Sequence, residues 1–445
     1  MSLLLIADSK SDYYKNEEED RLQNTAVPEK TCGRDCVDFV PNKAHVTNFD
    51  ILVLIVSVVS HIIDVGLDIN IAYRYFHSGK SVYFILTVIF ILFPALVNTI
   101  ISMRMYALDT ESNSVSKMAS REWVIRILVL FFQLAPVLRY CDSLSYALKS
   151  RNAEKQQDIV NQRHYYERML KEDSDVALLR VFECFLEAAP QQILQISILL
   201  VDSRDESTFH WLHQAGSIVS SLLSMAWSMA SYHRSIRFVQ ADKDNISWPG
   251  TVMQFMWHFM VTVSRIMSIS AVATLFPMWT VVACAIHWGI MTMWLCMLDR
   301  TNFCKSSPNG ATKKEHAGEV LFAATLALVY IFTYITPSEG RTRARYLVYY
   351  TVCFTENLVS AVTWASKASP EVQNTWYFLP LLIFSIVPFI VGIVFMILYY
   401  LYFHPKGISA VIHIKSPTNH IESPTNHIES HVSLAQDTDT SETQG

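Results

Sequence analysis

The sequence predicts an all-α polytopic membrane protein, with eight transmembrane helices and two re-entrant helices in two pseudo-symmetric halves. Of its 445 residues, 51% are apolar and only 17% are charged, and the mean hydropathy is +0.24, as is typical of chains with long segments in lipid. Ten apolar stretches are long enough, or nearly so, to cross about 30 Å of hydrocarbon, which takes about 20 helical residues. Helix is the expected state, because open strands would leave backbone groups unpaired in lipid. The net charge of −5 argues against a nucleic-acid-binding protein, which would need a basic surface.

The basic residues of the loops indicate which stretches cross the membrane, because Lys and Arg in short loops lie in the cytosol. If all ten stretches crossed, the basic loops 149–175 and 299–317 would lie outside the cell. We therefore predict that the third stretch (123–148) and the eighth (318–336) enter the membrane and return to the same side. Every strongly basic loop and both termini are then cytosolic. The ten stretches are 50–76, 82–108, 123–148, 176–201, 210–236, 251–275, 277–298, 318–336, 345–366 and 376–403.

The stretches divide into a first membrane half, residues 49–238, and a second, residues 251–404, each with its re-entrant helix third in order. Parallel repeats of this kind occur in several transporter folds. The string Cys-Phe-Leu-Glu at 184–187 returns as Cys-Phe-Thr-Glu at 353–356, at equivalent places in the two halves. The two predicted halves therefore share a weak sequence similarity at this position.

Polar segments flank the membrane halves. Residues 1–48 contain no cleavable signal peptide, so we expect them to stay in the cytosol. The tail 405–445 repeats the heptad SPTNHIE and is too polar to fold alone, so we expect it to be disordered and cytosolic.

Charged residues lie inside several predicted spans, where each is costly unless it has a partner or water. Asp64 and Asp68 are four residues apart, as are Glu183 and Glu187, so each pair shares one helical face. One interpretation is structural: buried ion pairs join the helices, with Arg265 bound to an acid of the first or fourth stretch. The other is a polar path through the membrane. The residues predicted to line it are Asp64, Asp68, Asp142, Glu183, Glu187, Arg265 and Glu356.

The excess of acids over bases favours a path, because unpaired carboxylates need water, a proton or a cation. A phospholipid headgroup offers an ammonium to the acids and a phosphate to the arginines, while its acyl chains stay in lipid. A proton-coupled solute transporter would use similar residues and is an alternative. The sequence holds no complete phosphate-binding loop, hydrolase motif or metal-ligand pattern, so we expect no enzymatic activity, no cofactor and no metal.

Four short strings occur in order along residues 50–405: QLAPVLR at 133–139, APQQILQ at 189–195, FTEN at 354–357 with Trp364, and FHP at 403–405. Together they resemble the XK-related (Kell blood group XK-like) phospholipid scramblase family. The motif residues that carry the resemblance are Gln133, Pro136, Arg139, Pro190, Gln191, Gln195, Asn357, His404 and Pro405. The family fold, eight spans and two membrane-dipping helices, is the arrangement that the loop charges indicate.

The resemblance implies ATP-independent scrambling of membrane phospholipids at the plasma membrane, with exposure of phosphatidylserine in apoptosis. For some members it also implies a single-span immunoglobulin-like chaperone subunit and removal of a terminal segment by a caspase. The candidate cleavage site is Asp439, which precedes Thr440, although Gln436 stands where a caspase prefers Asp. A homodimer is a further expectation. One family member partners another membrane protein without clear scrambling, so a non-catalytic accessory role is a second alternative.

Overall fold

The computed structural model describes residues 45–112, 135–202, 208–239, 246–298, 313–335 and 342–405. The described residues form helices and no strand, which confirms the all-α class. Most of the N-terminal polar segment, nearly all of the tail including Asp439, and the motif residue Gln133 lie outside the described residues.

In the first half, two helices start at side-chain caps. A capping box formed by Thr47 and Asp50 starts α1, and Asp158 accepts a hydrogen bond from the Asn161 N–H at the start of α4. The helices are α1 (Asn48–His77), α2 (Ser81–Ser112), α3 (Ala135–Lys155), α4 (Ile159–Glu183), α5 (Ala189–Asp202) and α6 (Thr208–Val239), with a π-helical turn at Cys184–Ala188 between α4 and α5.

The predicted basic loop 149–175 is largely helical. Helix α3 continues to Lys155, and α4 begins at Ile159, well before the predicted stretch 176–201. Hydropathy misses these turns because a polar helix carries no apolar signal.

The second half also consists of helices in the residues that the structure describes. Its helices are α7 (Trp248–Leu275), α8 (Pro277–Leu298), α9 (Lys313–Val329), α10 (Thr342–Lys367), the short α11 (Pro370–Gln373) and α12 (Phe378–Leu398), which ends in a π-helical turn at Tyr399–Phe403. Among the described helices, five are long and apolar enough to cross a membrane: α1, α2, α7, α8 and α12 with its π-helical turn.

Helix α7 lies at the centre of the molecule, whereas α1 lies at its edge. In the most apolar part of each helix, 61% of α7 is buried but only 11% of α1. Helix α12 packs closely on α7 at Gly392, where a Cβ atom would lie 2.8 Å from Val261 Cγ2 and 3.1 Å from the Trp257 carbonyl oxygen. Small residues of this kind let membrane helices approach each other. Exposed aliphatic side chains cover α1 instead, as expected for a helix that faces lipid.

Helix α9 ends inside the protein. It stops at Val329, and residues 330–335 are non-helical yet only 0–8% exposed. Their carbonyl groups have side-chain donors: the Tyr349 hydroxyl donates to Tyr330 O at 2.8 Å, and Arg265 donates to Ile331 O at 2.9 and 3.0 Å. Buried non-helical backbone needs partners of this kind, because unpaired backbone groups away from water are costly.

Candidate functional site

Acidic side chains from α1 and α4 meet in a cleft at the edge of the first half. We call it the acidic cleft and define it by His61, Asp64 and Asp68 of α1, Glu183 of α4 and Glu187 of the π-helical turn, all of which line one cavity. His61 Nδ1 lies 3.2 Å from Glu183 Oε1, and Asp68 and Glu187 are within hydrogen-bonding reach of each other. The four predicted acids of the first and fourth stretches are therefore neighbours.

The cleft is short of partners for its charges. Arg180 is the nearby cation, and its Nη1 lies 3.9 Å from Glu183 Oε1, at the limit of an ion pair. His61 Nε2, Asn98 Oδ1 and Glu183 Oε2 are buried and have no hydrogen-bond partner among the described residues. Polar atoms buried in this way are normally satisfied by water or a ligand. The arrangement thus suits a polar or cationic guest.

The cavity is small in this structure. Its volume is about 20 Å³, and a single water needs about 10–15 Å³ on the same measure. Asn98 of α2 and Pro136 of α3 also line the cavity. A phospholipid headgroup is far larger than one water, so it could contact the carboxyl groups only from the open side of the cleft or after α1 moves.

The π-helical turn Cys184–Ala188 lies beside Pro190, which explains why the helix departs from α geometry there. Proline has no N–H to donate to the carbonyl of residue 186, and its ring would clash with that carbonyl in a regular helix. The chain widens instead, and the Ala189 N–H donates to Cys184 O, five residues back. The widened turn carries Glu187 and follows directly after Glu183. Turns of this kind often occur at functional sites.

Asp142, predicted to line the path, belongs to a different cluster. The Tyr106 hydroxyl donates to Asp142 Oδ2 at 2.7 Å, and the Tyr106 ring lies 3.9 Å from the guanidinium of the motif residue Arg139. Arg139 is fully buried and binds Glu172 at 2.7 Å and Asp175 at 2.8 Å. This cluster joins α2, α3 and α4, so it stabilises the packing of the α3–α4 hairpin.

Arg265, on α7, is the centre of a third cluster, in the second half. Nη2 donates to Glu356 Oε2 at 2.9 Å and Nη1 to Asn357 Oδ1 at 2.8 Å, and the remaining bonds go to backbone carbonyls of residues 331 and 353. All the N–H groups of the guanidinium therefore have acceptors. The expected pairing with an acid of the first or fourth stretch was wrong, because Glu356 of α10 takes that place.

His287 of α8 is a member of the Arg265 cluster that the sequence interpretation missed. Its Nδ1 lies 2.7 Å from Glu356 Oε1, and its Nε2 lies 3.1 Å from Tyr330 O. A histidine inside an apolar span is itself a signal of a polar partner, and it could have identified this residue.

The repeated Cys-Phe-x-Glu strings end in acids with opposite surroundings. Glu356 is held by Arg265 and His287 at 2.9 and 2.7 Å. Glu187 lies beside Asp68, another acid, in a cavity. The second half thus pairs its acid with an arginine and a histidine, whereas the first half places its acid beside another acid.

The remaining motif residues lie near the π-helical turn, at the end of α12 and in the interior of α10. Gln191 and Gln192 are buried just beyond the π-helical turn, and Gln195 is half-buried. At the end of α12, the His404 N–H donates to Tyr399 O at 2.8 Å, and Pro405 then stops the helix. Asn357 bonds Ser264 Oγ at 2.9 Å as well as Arg265.

Fold and site together define an all-helical membrane protein with charged clusters in its interior. The chain belongs to the XK-related family, whose family model, described as XK-related protein, matches residues 52–405. It is 29% identical to "Cell death abnormality protein 8" of Caenorhabditis briggsae over 390 residues, 83% of this chain and 81% of the relative. It is 28% identical to the protein of the same name from Caenorhabditis elegans over 398 residues, 84% of this chain and 83% of the relative. The family predicted from the four strings is confirmed.

Proposed function

We propose that this protein moves phospholipids between the leaflets of the plasma membrane without ATP, and that it exposes phosphatidylserine during apoptosis. Membership of the XK-related family supports the proposal, as does the similarity to relatives named for abnormal cell death. The acidic cleft is then the polar edge of the lipid path.

The observation that carries this proposal is the position of the acidic cleft on a lipid-facing helix. Asp64 is exposed, and the neighbouring Ile63 and Leu67 are 56% and 58% exposed aliphatic side chains on α1. A lipid at this edge could place its headgroup against carboxyl groups while its acyl chains stay against aliphatic side chains. The headgroup ammonium would meet Asp64 and Asp68, and Arg180 would meet the phosphate.

The proposal includes the topology of eight spans with α3 and α9 as re-entrant helices and both termini in the cytosol. The buried, non-helical residues 330–335 support it for α9, because a re-entrant segment must turn within the membrane under cover of protein. We assign Arg265 and Glu356 to the scaffold of the second half rather than to the path, since each already has partners.

A proton-coupled solute transporter is the second candidate. Two carboxyl groups in hydrogen-bonding reach, as Asp68 and Glu187 are, can share a bond only when one of them carries a proton. A transporter could load and release that proton. It would show saturable uptake of a solute driven by a pH gradient, which a scramblase would not.

The test is dithionite bleaching of liposomes that contain the purified full-length protein and a fluorescent phospholipid. Scrambling carries bleaching past the half that belongs to the outer leaflet. We expect Glu187→Gln and Asp68→Asn to slow the bleaching beyond that half, whereas Glu167→Gln, an exposed carboxylate on the same helix as Glu183, should leave it unchanged. Equal rates in all forms would remove the acidic cleft from the path.

If bleaching of liposomes with the wild-type protein stops at half of the fluorescence, the protein does not scramble lipids by itself. The same assay is then repeated with a chain that ends at Asp439, for the proposed caspase control, and after co-expression with a single-span immunoglobulin-like partner. If bleaching still stops at half, the scramblase proposal fails, and uptake driven by a pH gradient tests the transporter. An accessory role is measured as the surface level of a co-purifying protein.

A further inference from the structure

Helix α7 carries a stripe of buried polar side chains along one face. Thr251, Gln254, His258, Thr262 and Arg265 follow one another at intervals of three or four residues, which places them on the same side of the helix. All five are 0–4% exposed, in the most buried of the five candidate membrane spans among the described residues. We call this set the α7 polar stripe.

The middle of the α7 polar stripe has polar atoms that the protein does not satisfy. Gln254 Oε1, His258 Nε2 and Thr262 Oγ1 have no hydrogen-bond partner among the described residues. The same holds for Nε2 of His233 on α6, whose ring stacks on that of His258 with 5.5 Å between centroids. Such atoms are costly in a dry interior, so their clustering indicates a ligand.

Both ends of the stripe are closed by arginines that do have partners. At one end, Arg234 donates to Thr251 Oγ1 at 3.4 Å and to the backbone oxygen of Ile246. At the other end, Arg265 is bound in its own cluster. Between them, His258 Nδ1 lies 3.3 Å from Thr333 Oγ1, in the non-helical segment that follows α9.

The axial spacing of the stripe residues is close to the distance that one bridging water spans. Three or four helical residues rise about 4.5–6 Å, and one water that bonds two groups spans about 5.5 Å. Water also fits the chemistry, because the stripe mixes an acceptor-only amide oxygen with hydroxyl and imidazole groups that donate or accept. A metal fits poorly, since no described group of three or more His, Cys, Asp or Glu side chains is arranged to hold one.

We propose that a file of ordered water molecules fills the α7 polar stripe between Arg234 and Arg265, bridging Gln254, His258 and Thr262. The file hydrates the centre of the second half and the non-helical segment 330–335. This inference is independent of the proposed function, because it concerns neither the acidic cleft nor lipid.

Hydroxyl radicals made by X-ray radiolysis test the proposal in the full-length protein, since they label side chains beside bound water even where bulk solvent is excluded. Each labelling rate is divided by the rate of the same residue in unfolded protein, which removes differences in intrinsic reactivity. By this measure we expect His258 to be labelled at least about tenfold faster than Met225 and Phe185, two side chains that are equally buried at 0% exposure. Equal protection of all three would overturn the proposal.

Two substitutions then locate the water. Thr262→Val and Gln254→Met keep the shape of the side chains but remove their bonds to water, so together they should reduce the labelling of His258 by about half or more. Thr355→Val is the control, because that hydroxyl bonds a carbonyl of its own helix at 2.9 Å. If the labelling rate of His258 is unchanged in the double variant, the water does not bridge Gln254 and Thr262, and the proposed file is refuted. The wild-type comparison is decisive even if the double variant does not fold.

Discussion

Replacing Arg265 by methionine tests whether the Arg265 cluster holds the second half together. The change removes the donors of Glu356, Asn357 and the backbone oxygens of residues 331 and 353. Each neutral buried acceptor left without a donor costs about 1 kcal/mol or more. Breaking a buried ion pair costs about 3–5 kcal/mol. Because the Glu356 side chain is 38% exposed and keeps His287, we expect a value near the lower end, about 3 kcal/mol.

The loss can be measured by thermal unfolding in detergent, with a thiol-reactive dye that fluoresces when buried cysteines become accessible. Cys184 and Cys353 are 6% and 0% exposed and belong to one hydrophobic core, so both react only when that core opens, whereas Cys141 is already exposed and gives the background signal. For a domain of about 350 residues, the family region 52–405, we expect the midpoint to fall by about 4 °C. Arg163→Met is the matched control, because its pair with Glu167 is exposed and worth about 0.5 kcal/mol or less.

The pairing itself is tested by a double-mutant cycle. If Arg265 and Glu356 act as one unit, Arg265→Met combined with Glu356→Gln costs clearly less than the sum of the two single changes. A midpoint within about 1 °C of wild type for Arg265→Met, or full additivity in the cycle, would refute the scaffold assignment.

Two further predictions concern the packing of α7 and the shape of the acidic cleft. Gly392→Leu forces a side chain into the α7–α12 contact and should lower the free energy of unfolding by about 1–3 kcal/mol. Gly289→Leu is the control, because open space surrounds its Cβ position, and it should be nearly neutral in the same unfolding assay. Equal losses for the two variants would contradict the close approach of α7 and α12. Pro190→Ala restores an N–H donor, so the π-helical turn should revert to α geometry and move Glu183 relative to Glu187. We expect slower lipid scrambling with an unchanged unfolding midpoint, and unchanged scrambling would show that the turn does not shape the path.

The helical class, the family and the positions of the costly charges follow from local properties of the chain. Apolar composition over lengths of about 20 residues specifies helices in lipid. A spacing of four residues puts Asp64 and Asp68 on one helical face, and Glu183 and Glu187 on another, however the helices pack. Pro190 marks a break in the fourth stretch, although the proline alone does not say that the break is a π-helical turn.

The need of the buried charges for partners follows from the sequence, because lipid offers them none. The identity of those partners depends on how the helices pack. Arg265 meets Glu356 across 91 positions of the chain, and His287 meets the same carboxylate across 69. Pairings at such separations depend on how whole helices are rotated and placed against one another. Glu187 and Glu356, which end the two similar strings, therefore look alike in the sequence but differ in the fold. Glu356 is paired with Arg265 and His287, whereas Glu187 lies beside Asp68.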